Sequence, residues 1–171
     1  MNLPNSITLV RILSIPLLVF LLLFKHVPGG ALTADIVFIV VAVSDYVDGY
    51  LARKLNEETS LGKFLDPLAD KILVLTALIC LVELGSVGSV PVVIIMVRDL
   101  TVTALRLAAI SSGRIIAAER LGKYKTAVLD VAVAMLMVGM PYSDMVLWVG
   151  VALAVISGTD YLIKNREVLY G

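Results

Sequence analysis

The chain is short of the residues that build most soluble active sites. It has one cysteine, Cys80, and one histidine, His26, which excludes an internal disulfide and a Cys/His zinc centre. Charged residues make up only 16% of its 171 positions and aromatics 6%. So few polar residues exclude a disordered chain, and 14 Lys+Arg balanced by 14 Asp+Glu argue against a nucleic-acid or heparin binder. Aliphatic residues fill the remainder: 60% of the chain is hydrophobic, against roughly 45–50% apolar in a soluble domain. The length suits one domain, residues 1–171, with more apolar mass than a single water-soluble core can bury. These features predict an all-α, polytopic membrane protein.

A spanning helix needs about 20 mostly apolar residues, and six runs approach that. They are Ile7–Phe24, a run from about Thr33 through Val43, Ile72–Val82, Val90–Ile110, Thr126–Met140 and Met145–Ile163. Short turn signals follow the first, third and fifth: Pro28-Gly29-Gly30, Gly85 to Pro91, and Pro141 to Asp144. The first run reads as a spanning helix rather than a cleaved signal peptide. It is long, its charge is a lone internal Arg11, and no small-residue cleavage site follows. One set of loops holds Arg53, Lys54, Lys63, Arg114, Arg120, Lys123, Lys125, Lys164 and Arg166, and the other holds only Lys25. Basic residues favour cytoplasmic loops, so six transmembrane helices with both termini in the cytoplasm are expected.

Several of these runs are apolar at one end and ionisable at the other. Asp45 and Asp48 follow Val43-Ser44, Asp66 and Asp70 precede Ile72, and Arg98, Asp99 and Arg106 interrupt the fourth run. A charge at such depth costs about 2.5–3.5 kcal/mol on insertion scales unless it faces a partner or a polar cavity. The orientation above puts all four aspartates, Arg98, Arg106, Lys123 and Lys125 on the cytoplasmic side, which predicts a polar active-site chamber open to the cytoplasm. Asp45 and Asp48 are i,i+3, and Asp66 and Asp70 i,i+4, so each pair shares a helix face. Four carboxylates in one space need cations, and hard oxygen donors select Mg²⁺, Mn²⁺ or Ca²⁺ over zinc or copper. Such a set fits a two-metal phosphoryl-transfer site. It also fits the cation path of an ion-coupled transporter. Gly49 weighs against a transporter, because a glycine inside a helix costs about 1 kcal/mol against alanine and suits a bulky ligand pressing on backbone. Arg53 and Lys54 supply the positive charge a pyrophosphate needs.

The string DYVDGYLARKLNEETSLGKFLDPLAD, Asp45 to Asp70, matches DxxDGxxAR, eight residues, then GxxxDxxxD. It resembles the signature of the CDP-alcohol phosphotransferases. The segments PNSITLVR, RDLTVTALR and AAERLGKYKTA are similar, within that family, to the phosphatidylglycerophosphate synthases along nearly the whole length. One departure is Asp99, where those enzymes usually carry Glu.

The resemblance implies a fold, a reaction and roles for residues. Asp45, Asp48, Asp66 and Asp70 would bind two divalent ions, Mg²⁺ or Mn²⁺, and Asp70 would also act as general base on the acceptor hydroxyl. That hydroxyl attacks the lipid-linked phosphate of CDP-diacylglycerol and expels CMP. Asn5, Thr8, Gly49, Arg53 and Thr59 match positions that contact the CDP-diacylglycerol donor. With glycerol 3-phosphate as acceptor, a second phosphate needs about two or three further cations, for which Arg98, Arg106, Lys123 and Lys125 are the candidates. Inositol phosphate, phosphatidylglycerol or serine are alternative acceptors within the family. Relatives form homodimers in the cytoplasmic membrane, and the same is expected here.

Overall fold

A computed structural model describes residues 3–23, 33–41, 60–111 and 120–167, and no strand occurs among them. The helices are α1 (Leu3–Leu23), α2 (33–41), α3 (Ser60–Glu83), α4 (Ser89–Ser111), α5 (Arg120–Met137) and α6 (Ser143–Lys164). Each corresponds to one of the six apolar runs. Two begin well before their runs: α3 at Ser60 rather than Ile72, and α5 at Arg120 rather than Thr126. Apolarity marks where side chains leave water, whereas i→i−4 backbone bonding continues through polar residues until something breaks it. Pro67 does not break α3 and does not mark its first turn, since the helix starts seven residues earlier. It removes one backbone bond inside the helix.

By length and composition α6 is apolar enough to cross a membrane, and Ile12–Leu23 is a shorter apolar segment. No other helix among the described residues meets that measure. On α4 the reason is Arg98, Asp99 and Arg106, and on α3 and α5 it is the ionisable residues of their first halves.

The helices fall into two compact units, Met1–Val87 with Val133–Met140, and Gly88–Ala132 with Pro141–Gly171. In the first unit α1 packs on α3. The α3 stripe Ala69, Leu73, Ala77 and Leu81 is buried, as are Leu18 and Leu22 of α1 and Phe38 of α2, the spacing expected of one helix face. Cys80 is buried on α3 and serves as a small apolar residue. α3 closes on Gly85 at φ 74°: the Ser86 N–H meets Leu81 O at 2.9 Å and the Gly85 N–H meets Val82 O at 3.0 Å. Only a residue tolerant of left-handed backbone makes this stop at no steric cost.

In the second unit α4 packs along α6. α4 buries Val92, Ile95, Asp99, Val102 and Leu105, and α6 buries Leu147, Gly150, Ala154, Ser157, Gly158 and Tyr161. Three small residues, Gly150, Ala154 and Gly158, recur every fourth position and let neighbouring side chains approach the α6 backbone. A Cβ on Gly150 would lie 2.5 Å from Leu129 Cδ2 on α5, and one on Gly158 would lie 2.8 Å from Arg98 Cγ on α4. The opposite faces of both helices are also apolar and exposed: Val93, Val97, Leu100 and Ile110 on α4, and Met145, Val149, Ile156 and Ile163 on α6.

Candidate functional site

Of the sequence-predicted site, Asp45, Asp48, Gly49, Arg53 and Thr59 lie outside the described residues, as does His26. Asn5 and Thr8 sit on the first turns of α1, and Asp66 and Asp70 on α3. The helix covers the whole GxxxDxxxD half of the motif, so Gly62, Asp66 and Asp70 follow one another at successive i,i+4 steps along one face. Each step is about 6 Å of rise. Asp70 is half-buried. The divalent ions implied by the four aspartates suit the chemistry of this donor set, which is all carboxylate oxygen. Among the described residues no cluster of three or more His, Cys, Asp or Glu forms by itself, and half of the proposed ligands fall outside that set.

The four candidate acceptor cations all belong to the second unit: Arg98 and Arg106 on α4, Lys123 and Lys125 on α5. Arg98 and Lys125 meet through Asp99. Lys125 Nζ donates to both Asp99 oxygens at 2.8 Å, and Arg98 Nη1 donates to Oδ1 at 2.9 Å. Asp99 and Lys125 are both buried. One carboxylate thus balances one of two neighbouring cations, and the group keeps a single surplus positive charge. Lys125 is committed to this pair, and Lys123, two residues earlier, is exposed.

Arg98 makes a further contact that spacing alone did not indicate. Its Nη2 donates to Ser157 Oγ on α6 at 2.8 Å, and the Ser157 hydroxyl in turn donates to the Ala154 carbonyl at 3.2 Å. The methylene stem of Arg98 crosses Gly158, and its buried Nε has no acceptor. Arg106 lies over Tyr161: its Nε donates to the phenol oxygen at 3.2 Å, with the guanidinium carbon 5.7 Å from the ring centroid. That distance is within cation–π range. Among the described residues the Arg106 Nη groups make no hydrogen bond, leaving the outer fork open to an oxyanion. Tyr161 is itself buried against Val102 and Leu105.

Spacing did not single out Ser157, Gly158 and Tyr161 as the partners of these two arginines. The signal was present in the sequence as a Gly150-x₃-Ala154-x₃-Gly158 repeat with Ser157 and Tyr161 beside it. It lay within the most apolar run, where such spacing reads as packing.

Known proteins agree with the motif. The sequence model described as CDP-alcohol phosphatidyltransferase matches residues 1–156. A Bacillus subtilis protein named CDP-diacylglycerol–glycerol-3-phosphate 3-phosphatidyltransferase is 42% identical, over 98% of this chain and 97% of its own. Proteins of the same name from Rickettsia bellii and Wigglesworthia glossinidia brevipalpis are 33% and 34% identical. They cover 94% and 78% of this chain, and 93% and 75% of their own.

Proposed function

The chain belongs to the CDP-alcohol phosphatidyltransferase family, and from that premise we propose that it transfers the phosphatidyl group of CDP-diacylglycerol to glycerol 3-phosphate, releasing CMP. The product is phosphatidylglycerol phosphate, so the enzyme serves phospholipid biosynthesis. The observation that carries this reading is the unbroken helix through Gly62, Asp66 and Asp70. Gly62, Asp66 and Asp70 stand at successive i,i+4 positions of that helix.

Asp45, Asp48, Asp66 and Asp70 would hold two divalent ions, Mg²⁺ or Mn²⁺. When bound, such ions supply charge neutralisation of the pyrophosphate and acidify a nearby hydroxyl. Asn5, Thr8, Gly49, Arg53 and Thr59 hold the cytidine diphosphate part of the donor. Asp70 receives the proton of the acceptor hydroxyl as its oxygen bonds to the lipid-linked phosphorus, and the bond from that phosphorus to the CMP oxygen breaks in line. This needs orientation more than basicity.

The acceptor's own phosphate falls to Arg98, Arg106, Lys123 and Lys125. The open fork of Arg106 is the group best suited to a bidentate oxyanion. Arg98 comes next, with Lys125 acting through Asp99 and Lys123 supplying long-range charge.

The enzyme spans the cytoplasmic membrane as six helices and acts as a homodimer, with termini and site facing the cytoplasm. Exposed apolar faces on both sides of α4 and α6 support lipid as their surroundings. Exposed Tyr142 and Trp148 at the start of α6 suit an interfacial aromatic belt.

The test is Asp70→Asn in the purified full chain. CMP release from CDP-diacylglycerol with glycerol 3-phosphate and Mg²⁺ is expected to vanish while the elution profile and helical circular dichroism stay as in the wild type. Retained turnover would remove Asp70 from the role of base.

A further inference from the structure

We propose that Ser157, Gly158 and Tyr161 of α6 are positioning residues for acceptor recognition, acting through Arg98 and Arg106 of α4. The proposal rests on the reading of those arginines as the groups that receive the acceptor phosphate. An arginine fork discriminates a phosphate from a neutral hydroxyl only if its plane is held, because a free side chain spreads its donors over many rotamers. Each arginine is held by α6 in a different way.

Arg98 is held by an absence and a hydroxyl. Gly158 leaves room for the stem to lie against the helix, and a single added methyl carbon would intrude to 2.8 Å of Cγ and 3.4 Å of Nε. The Ser157 proton is engaged by the Ala154 carbonyl, so the lone pair of its Oγ is fixed toward Nη2. With Asp99 on Nη1, both ends of the guanidinium are set. Arg106 is held by a surface: the buried ring of Tyr161 sits beside its guanidinium and the phenol oxygen accepts from Nε. That leaves the outer pair of nitrogens, the edge that meets a phosphate in two parallel bonds. Tyr161 stands at i+4 from Ser157 and at i+3 from Gly158, a helical neighbour of each. α6 itself then carries no charge to the acceptor and still decides which acceptor fits.

Steady-state kinetics of the purified full chain test this, varying glycerol 3-phosphate at saturating CDP-diacylglycerol and the reverse. Ser157→Ala, Gly158→Ala and Tyr161→Phe are each expected to raise the KM for glycerol 3-phosphate about tenfold, the loss typical of one charge-assisted hydrogen bond. The KM for CDP-diacylglycerol is expected to stay within about twofold, since no donor contact is altered. Ser157→Thr keeps the hydroxyl and is expected to restore most of the affinity. Tyr161→Phe added to Arg106→Lys is expected to cost nothing beyond Arg106→Lys alone, because the tyrosine acts only through the arginine. Equal rises in both KM values, or an unchanged acceptor KM, would overturn the proposal. If Gly158→Ala does not fold, Ser157→Ala and Tyr161→Phe decide the matter. Wild-type protein that releases CMP only with uncharged alcohols would instead defeat the reading on which the proposal stands.

Discussion

Asp99 is the residue on which the second unit turns. It neutralises Lys125 and engages Arg98 within 3 Å, in surroundings where both it and Lys125 are buried. Removing one member of a buried ion pair leaves the other charged and unpaired, which costs about 3–5 kcal/mol. Lys125→Met and Asp99→Leu are each expected to destabilise the protein by that order, and the double variant by less than their sum. Chemical unfolding in detergent measures all three, and strict additivity would mean the pair is not coupled. Sequence spacing marked Arg98 and Lys125 as cations facing one side; it did not reveal that one of them is spoken for. The partner of a buried charge depends on the packing of helices far apart in sequence, and that is not written in local spacing.

At the scale of helices, each described helix falls on one of the six apolar runs. Gly85 ends α3 inside the turn expected there, whereas α5 stops at Met137 before Gly139, short of the expected turn at Pro141. Gly85 and Gly139, at φ 74° and 70°, close α3 and α5. The starts of α3 and α5 were less legible because hydropathy records surroundings and not backbone hydrogen bonds. The small-residue stripe of α6 is the element that sequence reading undervalued. Gly150 illustrates its cost of substitution: a Cβ would stand 2.5 Å from Leu129 Cδ2 and 3.1 Å from Leu129 Cγ. Leu129 is itself fully buried and has little room to move, so overpacking of about 1–3 kcal/mol is expected for Gly150→Ala. The exposed Gly88, with nothing near its Cβ, supplies the control, where alanine is expected to change stability by less than about 0.5 kcal/mol. Thermal unfolding in detergent compares them. Equal midpoints for the two variants would remove close packing as the reason for the stripe.

For the whole molecule, the asymmetric distribution of basic residues and the apolar outer faces give one expected topology. In a background with buried Cys80 replaced by serine, single cysteines at Ser86 and Tyr142 are expected to react with a membrane-impermeant thiol reagent added outside intact cells. A cysteine at Lys164 is expected to react only after the membrane is opened. The reverse pattern would invert the orientation and place the aspartates on the outer side. How much of the site was legible divides by kind. The four aspartates proposed as ligands lie within a single stretch of chain, so their spacing reads as a motif. The residues that hold the arginines come from a helix about 60 positions away, and only folding brings α4 and α6 together.

The central claim is phosphatidyl transfer to an acceptor that carries its own phosphate, and release of CMP by the purified protein across a panel of alcohols tests it most directly. With CDP-diacylglycerol and Mg²⁺ present, glycerol 3-phosphate is expected to drive CMP release with stoichiometric formation of phosphatidylglycerol phosphate. Serine and phosphatidylglycerol are expected to give only background. CMP release driven by serine or phosphatidylglycerol in preference to glycerol 3-phosphate, or no release with any alcohol, would contradict the account.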